Sequence, residues 1–363
     1  MSRPIHARID LVALQHNLCI ARKHAQNARL IVVLKANAYG HGLLNIASAL
    51  KTADAFAVLE IDAAVRLREA GIYQPILLLE GFFSEADLAI IRQYQLTTVI
   101  HHHEQLAMLS SSKLETKINV FLKINTGMNR LGFTPEEGLV ALKILKNNPR
   151  IDQITLMTHF ACADDPFKED EVNQQLKRFD LFAGKYPLPC SLANSAAILQ
   201  YPKTHADWVR PGIMLYGASP LIDKTASELG LRPVMTVSSK IIAIQHLAAK
   251  EKVGYGGQFQ TEQPMNIGIV ACGYADGYPR HAPTGTPVLV NGQRTRIIGR
   301  ISMDMLTIDL TSIKNASIGS PVILWGNELP IEEVAKFAGT ISYELFCALS
   351  SRVKTITVTN ENQ

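Results

Sequence analysis

Lys35 directly follows the apolar run LIVVL at 30–34. A lysine at the rim of a core either loses part of its basicity through desolvation and serves as a nucleophilic amine, or lays its stem along the rim and keeps its charge in water. Further polar residues end other apolar runs: Lys123 after 118–122, His159 after 154–158, Asn194 and Ser195 after 190–193, Arg210 and Gly212 within 208–214. Ser195 offers a hydroxyl at a helix start, and Gly212 lets backbone amides approach an anion closely. Each alone reads equally as a helix cap or a turn. Together, on successive runs, they make a phosphate site. An amine and a phosphate site at one mouth are what pyridoxal phosphate requires of a protein.

These residues need elements that bring them to one place. Eight short runs read as strands in the first 220 residues: 30–34, 55–59, 75–79, 97–100, 118–123, 154–158, 190–193 and 208–214. Helical stretches separate them. One opens at Ser84 with Asp87 in the capping-box position. Another has Thr134 as N-cap, Pro135 at the first helical position and Glu137 completing the box. Eight strands alternating with helices predict an N-terminal (β/α)8 TIM-type barrel, whose chemistry lies at the carboxyl ends of its strands. A doubly wound open sheet is the competitor, but no G-x-G-x-x-G turn supports it.

The pattern changes near Arg232-Pro233. Runs at 234–247, 267–273, 287–289, 296–301, 306–310, 322–324 and 354–358 read as strands, with helices at 331–338 and 343–348. The chain thus divides into a barrel at 1–231 and a C-terminal, mostly-β domain at 232–363.

Composition excludes several classes. With 47% hydrophobic and 19% charged residues the chain is neither disordered nor fibrous. A formal charge of +4 over 363 residues gives no argument for nucleic acid or an anionic membrane. No apolar stretch reaches the ~18 residues a spanning helix needs, and the first ten residues lack an apolar signal core. Five scattered cysteines without a C-x-x-C pair read as reduced thiols, so the expectation is a cytoplasmic protein. His101, His102 and His103 resemble a metal tract but have no carboxylate pair or cysteine at ligand spacing. They read as a surface turn, and no metal is expected.

The segment VLKANAYGHG at 33–42 resembles the pyridoxal-phosphate-binding signature of alanine racemases. The resemblance extends along the chain through KINTGMNRLG at 123–132, MTHF at 157–160, ANS at 193–195, DWVRPG at 207–212, VGYGG at 253–257, GYADGY at 273–278, SMD at 302–304 and SYEL at 342–345. It implies an isomerase that interconverts L- and D-alanine by two-base proton transfer on pyridoxal 5'-phosphate, in a homodimer with shared active sites.

On this resemblance Lys35 is the lysine that holds the cofactor and one catalytic base. Tyr255, contributed by the other subunit, is the second. Tyr39, Ser195, Gly212, Ile213 and Tyr343 hold the phosphate. Arg210 partners the pyridine nitrogen, with His159 beside the ring. Arg130 and the amide of Met303 bind the substrate carboxylate, and Tyr274 lies on the substrate's way in. Lys123 matches a lysine that is carbamylated (N6-carboxylysine) in many members. Asn125 stands where other members have Asp, Gly254 where they have Ser, and Ser191 where some have His.

Three alternatives share parts of this pattern. A non-catalytic pyridoxal phosphate barrel ends after its barrel, whereas this chain continues. A barrel decarboxylase of basic amino acids needs acidic and cysteine residues that have no place here. A racemase of another or broader range of amino acids differs only in pocket size. D-alanine supply for peptidoglycan and L-alanine catabolism are both compatible with the motifs.

Overall fold

The computed structural model describes residues 3–112 and 116–359. The chain opens with β1 (His6–Asp10) and α1 (Leu11–His24), whose first turn is capped by Asp10 Oδ1 accepting from the amides of Val12 and Ala13. Then β2 (Arg29–Val33), α2 (Lys35–Tyr39), α3 (Leu43–Ala49), β3 (Ala55–Val58), α4 (Ile61–Glu69), β4 (Ile76–Leu78), α5 (Glu85–Gln93), β5 (Thr97–Ile100), α6 (His103–Ser111), β6 (Ile118–Lys123), α7 (Pro135–Lys146), β7 (Ile151–Met157), α8 (Glu169–Ala183), β8 (Cys190–Asn194), α9 (Ser195–Gln200) and β9 (Trp208–Arg210) follow.

Strands β2 to β9 pair in parallel, each with its neighbour, and β9 closes on β2. This is the expected (β/α)8 barrel. Strands β3, β4 and β5 are buried at every residue, because helices cover one face and the barrel interior the other. Both capping boxes form: Ser84 with Asp87 at α5, and Thr134 with Glu137 at α7. The last strand is shorter than its apolar run. Pro211 has no N–H for the ladder, so β9 stops at Arg210 and the chain coils into a 3₁₀ turn, Ile213–Tyr216.

The second part contains β10 (Met235–Leu247), the ribbon of β11 (Lys252–Val253) and β12 (Phe259–Gln260), then β13 (Met265–Val270), β14 (Pro287–Val290), β15 (Gln293–Arg296), β16 (Leu306–Asp309), β17 (Pro321–Trp325), α10 (Ile331–Ala338), α11 (Ser342–Ala348) and β18 (Lys354–Val358). Its main sheet runs β15-β14-β17-β10-β1-β18, with β13 and β16 added through the far end of β10.

Two expectations need correction. The strand expected at 296–301 lies at Gln293–Arg296, because Asn291 and Gly292, both with positive φ, turn β14 back on itself and pair Val290 with Gln293. And β1, within the range assigned to the barrel, belongs to the second sheet. Its five residues alternate buried and half-buried, and its partners are β10 and β18, more than 200 residues away. Asn17 of α1 fastens the crossover between the two parts. Its side chain donates to the carbonyls of Leu215 and Arg232 and accepts from the amide of Arg232.

Candidate active site

A cavity of 630 Å³ opens at the carboxyl ends of the barrel strands. Lys35, Tyr39, Lys123, Arg130, His159, Ser195, Arg210, Gly212, Ile213 and Tyr343 all line it. They come from β2, β6, β7, β8, β9 and α11 and the segments after them, so closure of the barrel is what assembles them.

Lys35 owes its direction to an unusual backbone. The expected loop after β2 is a tight turn in which Ala36, Asn37, Ala38 and Tyr39 all have left-handed φ of 52–56°. This conformation costs L-residues roughly 1–2 kcal/mol each, and local bonds hold it. The Asn37 side chain accepts from the amide of Leu43, and the amide of Gly42 donates to the carbonyl of Asn37. Ala38 and Tyr39 are buried. The turn leaves Lys35 at the rim and swings Tyr39 back across the barrel mouth. Burial first, and Arg130 second, lower the pKa of Lys35 below that of an ordinary lysine.

The anion cradle is built on β8 and β9. Asn194, not Ser195, caps α9, through its Oδ1 and the amide of Ala197 at 3.0 Å. The hydroxyl of Ser195 accepts from the amide of Gly212 at 2.8 Å. A Cβ on Gly212 would sit 2.7 Å from the Tyr39 hydroxyl, so only glycine permits this approach. The rings of Tyr39 and Tyr343 lie 6.0 Å apart. Burial raises the pKa of both phenols, which keeps them neutral hydrogen-bond donors. The set of hydroxyls and close backbone suits a phosphate group.

Arg210 is buried at the floor. Its Nη1 donates to Ser191 Oγ at 2.6 Å. Its Nη2 faces the carbonyls of Thr158 at 2.7 Å and Leu192 at 3.0 Å, and Nδ1 of His159 at 3.1 Å. Burial opposes its charge, but a guanidinium keeps its proton. It therefore places a fixed positive charge and only donors beside any ring lying in the cavity. Lys123, also buried, has its pKa lowered to about 8 by burial first and then by Arg210 and Arg130.

The three other expected residues stand elsewhere. Tyr255 lies in the turn between β11 and β12 and is 72% exposed; Tyr274 and Met303 are 37% and 53% exposed. None of them lines the cavity of its own chain.

The structure adds residues that the sequence reading did not single out. Tyr216 packs against Tyr39, with ring centroids 4.7 Å apart and planes tilted by 32°, and donates its hydroxyl to the carbonyl of Val33. Gln175 of α8 bonds Thr126, the carbonyl of His159 and the amide of Ala161, bracing the loop that carries His159. Neither differs in its sequence context from ordinary core or helix-face residues. His101 corrects the surface-turn expectation. It lines the cavity, half-buried, with Nε2 against the carbonyl of Glu80. His102 accepts from the amide of Glu104, and His103 faces Glu137, so each imidazole has its own partner.

Known proteins resemble this chain along nearly its whole length. Residues 9–220 match the family model "Alanine racemase, N-terminal domain", and residues 234–357 match "Alanine racemase, C-terminal domain". An alanine racemase from Nitrosomonas eutropha is 63% identical, covering 99% of this chain and 100% of that protein. One from Nitrosospira multiformis is 61% identical, covering 98% and 100%. Among solved structures, the biosynthetic alanine racemase from Pseudomonas aeruginosa superposes with a TM-score of 0.96 at 43% identity, covering 98% of this chain and 99% of that one. The alanine racemase from Acinetobacter baumannii gives 0.91 at 41%, covering 98% and 100%.

Proposed function

The chain belongs to the alanine racemase family, and on that premise we propose that it interconverts L- and D-alanine at a pyridoxal-phosphate site completed by a second copy of itself. The observation that carries the proposal is the division of the site residues. Lys35 and the anion cradle share one cavity, while Tyr255 stands exposed on another part of the same chain.

The cavity fits the cofactor. Lys35 has the lowered pKa that attachment to a carbonyl needs. Tyr39, Ser195, Gly212, Ile213 and Tyr343 would hold the phosphate, and Arg210 would face the pyridine nitrogen. When bound, pyridoxal phosphate supplies an electron sink that acidifies the substrate's α-carbon.

Racemisation removes the α-proton from one face and returns a proton to the other. Lys35 moves the proton on one face as a neutral amine. Tyr255 of the second copy moves it on the opposite face. Arg210, held by Ser191, the carbonyls of Thr158 and Leu192 and His159, would present only donors and a fixed positive charge to the pyridine nitrogen. Arg130 and the amide of Met303 hold the substrate carboxylate.

Lys123 sits among Arg130, Arg210 and Lys35, with Glu80 as the nearby opposite charge. A pKa of about 8 leaves a neutral fraction near neutrality that can add to carbon dioxide. The carbamate formed, after loss of one proton, presents two acceptors to Arg130.

Among the described residues no helix is long and apolar enough to cross a membrane. The cysteines are free thiols, which supports a cytoplasmic location. The test is circular dichroism over time on single amino acids: L- and D-alanine should each lose their signal, and larger amino acids should not.

A further inference from the structure

Four charged residues far apart in sequence meet outside the cavity. Asp276 is buried, with 1% of its side chain exposed, and lies between two arginines: Arg3 Nη2 is 2.9 Å from Oδ2, and Arg352 Nε is 3.4 Å from Oδ1. The same arginines reach Asp304. Arg352 Nη2 is 2.6 Å from its Oδ1, and Arg3 Nη1 is 3.4 Å away, while Arg3 Nη2 also donates to its carbonyl at 2.8 Å.

This quartet sits behind two loops. Asp276 closes the turn that begins at Gly273, its Oδ2 accepting from that residue's amide at 3.0 Å, with Tyr274 between them. Asp304 directly follows Met303. The loops are laced backbone to backbone: the amide of Tyr274 donates to the carbonyl of Ser302 at 3.1 Å, and the amide of Ala275 to that of Met303 at 2.9 Å. A Cβ on Gly273 would lie 2.3 Å from the carbonyl oxygen of Met303, so the two loops pack backbone to backbone in a contact that only glycine allows. The arginines belong to other elements. Arg3 precedes β1, and Arg352 follows α11, whose end is bonded to the turn through the amide of Ser350 and the carbonyl of Asp276. Arg3, Arg352 and Asp304 are each more than a third exposed, and such pairs add little to stability. What they define is geometry.

We propose that Asp276 and Asp304, clamped between Arg3 and Arg352, are positioning residues that fix Tyr274 and the backbone of Met303 in the orientation a second copy's substrate requires. This rests on the shared-site reading above. The quartet acts in trans: it sets the substrate's fit in the site whose Lys35 belongs to the other chain.

The test uses the loaded dimer. Asp276→Asn keeps the shape and the bond to the Gly273 amide but removes the charge. Asp304→Asn, at a more exposed position, serves if the first variant folds poorly. Each should raise KM for alanine by about tenfold, within the hundredfold that roughly 1 Å of misplacement can cost, with cofactor absorbance unchanged and kcat little altered. A raised KM shows positioning. An unchanged KM with a lowered melting temperature shows a structural part only and overturns the proposal. Heterodimers with Lys35→Ala then separate trans from cis. Their one competent site joins Lys35 of the Asp276→Asn chain to Tyr274 and Met303 of the other, so KM should return to the wild-type value. A KM still raised there overturns the trans assignment. A control heterodimer of Lys35→Ala with Tyr255→Phe must be active; if it is inactive, the shared-site reading itself fails.

Discussion

Nη2 of Arg210 meets Nδ1 of His159 at 3.1 Å, and this contact sets the protonation of the imidazole. A guanidinium has only donors, so Nδ1 must carry the lone pair and the proton of the neutral ring is on Nε2. Burial first, and Arg210 second, hold the His159 pKa well below 6.5. His159 therefore stays neutral at neutral pH. Its Nε2 should not titrate, and nuclear magnetic resonance of histidine-labelled protein between pH 8 and about 5 should show one imidazole fixed in this tautomer.

The buried His41 gives a stability prediction. Burial lowers its pKa from 6.5 to about 4. Above about 6.5 the folded and unfolded chains both hold it neutral, and its contribution to stability is fully present. As pH falls from 6.5 towards 4 the unfolded chain takes up a proton that the folded one refuses, so stability is lost across that window. The loss amounts to about 3 kcal/mol at ~1.4 kcal/mol per pH unit. Denaturant unfolding should show a shallower acid-side decline for His41→Asn than for the native sequence.

Borohydride should fix the cofactor onto Lys35, and peptide mapping should find the label there. Lys35→Ala should lose the covalent adduct and the activity while keeping its barrel. Label on another lysine would refute the assignment.

Gly212→Ala puts a methyl group 2.7 Å from the Tyr39 hydroxyl. The phenol must move, and the anion cradle opens with it. Cofactor affinity should fall about tenfold, equivalent to about 1.4 kcal/mol, as measured by titration of the stripped enzyme. Tyr39→Phe in the same background should add little, because the hydroxyl is already displaced.

Mass analysis under conditions that preserve carbamates should find Lys123 heavier by one carboxyl group in at least part of the protein. Lys123→Ala should weaken alanine binding by releasing Arg130, and a small carboxylate in the buffer should restore part of it. A plain ammonium in fully active enzyme would count against the modification.

Lys35→Ala and Tyr255→Phe chains should each be nearly inactive. If the site is shared between two copies as proposed, roughly half of the randomly paired dimers after subunit exchange are mixed and each holds one intact site. Activity should then recover to at most about a quarter of the native value.

Much of the site was legible in the sequence because barrel chemistry lies at strand ends, and strand ends can be read from where apolar runs stop. Lys35, Lys123, His159, Ser195, Arg210 and Gly212 stand where apolar runs end, and Tyr39, Arg130 and Tyr343 follow from the motifs that carry the family resemblance. The capping boxes at Ser84 and Thr134 were readable for a similar reason, since a cap involves residues three apart.

What the linear pattern could not carry was anything decided by distant partners. Strand β1 has too little apolar character to declare itself, and it exists because β10 and β18 pair with it. The left-handed run 36–39 has no composition that calls for it, and bonds from Leu43 and Gly42 hold it. His101 faces the cavity only because β5 lies between β4 and β6 in the closed barrel. The contact of Arg210 with His159, and the meeting of Arg3, Asp276, Asp304 and Arg352, are made by pairs 48 to 301 positions apart. Local physics sets helices, caps and strand ends; only closure of the chain upon itself decides which of those ends face one another.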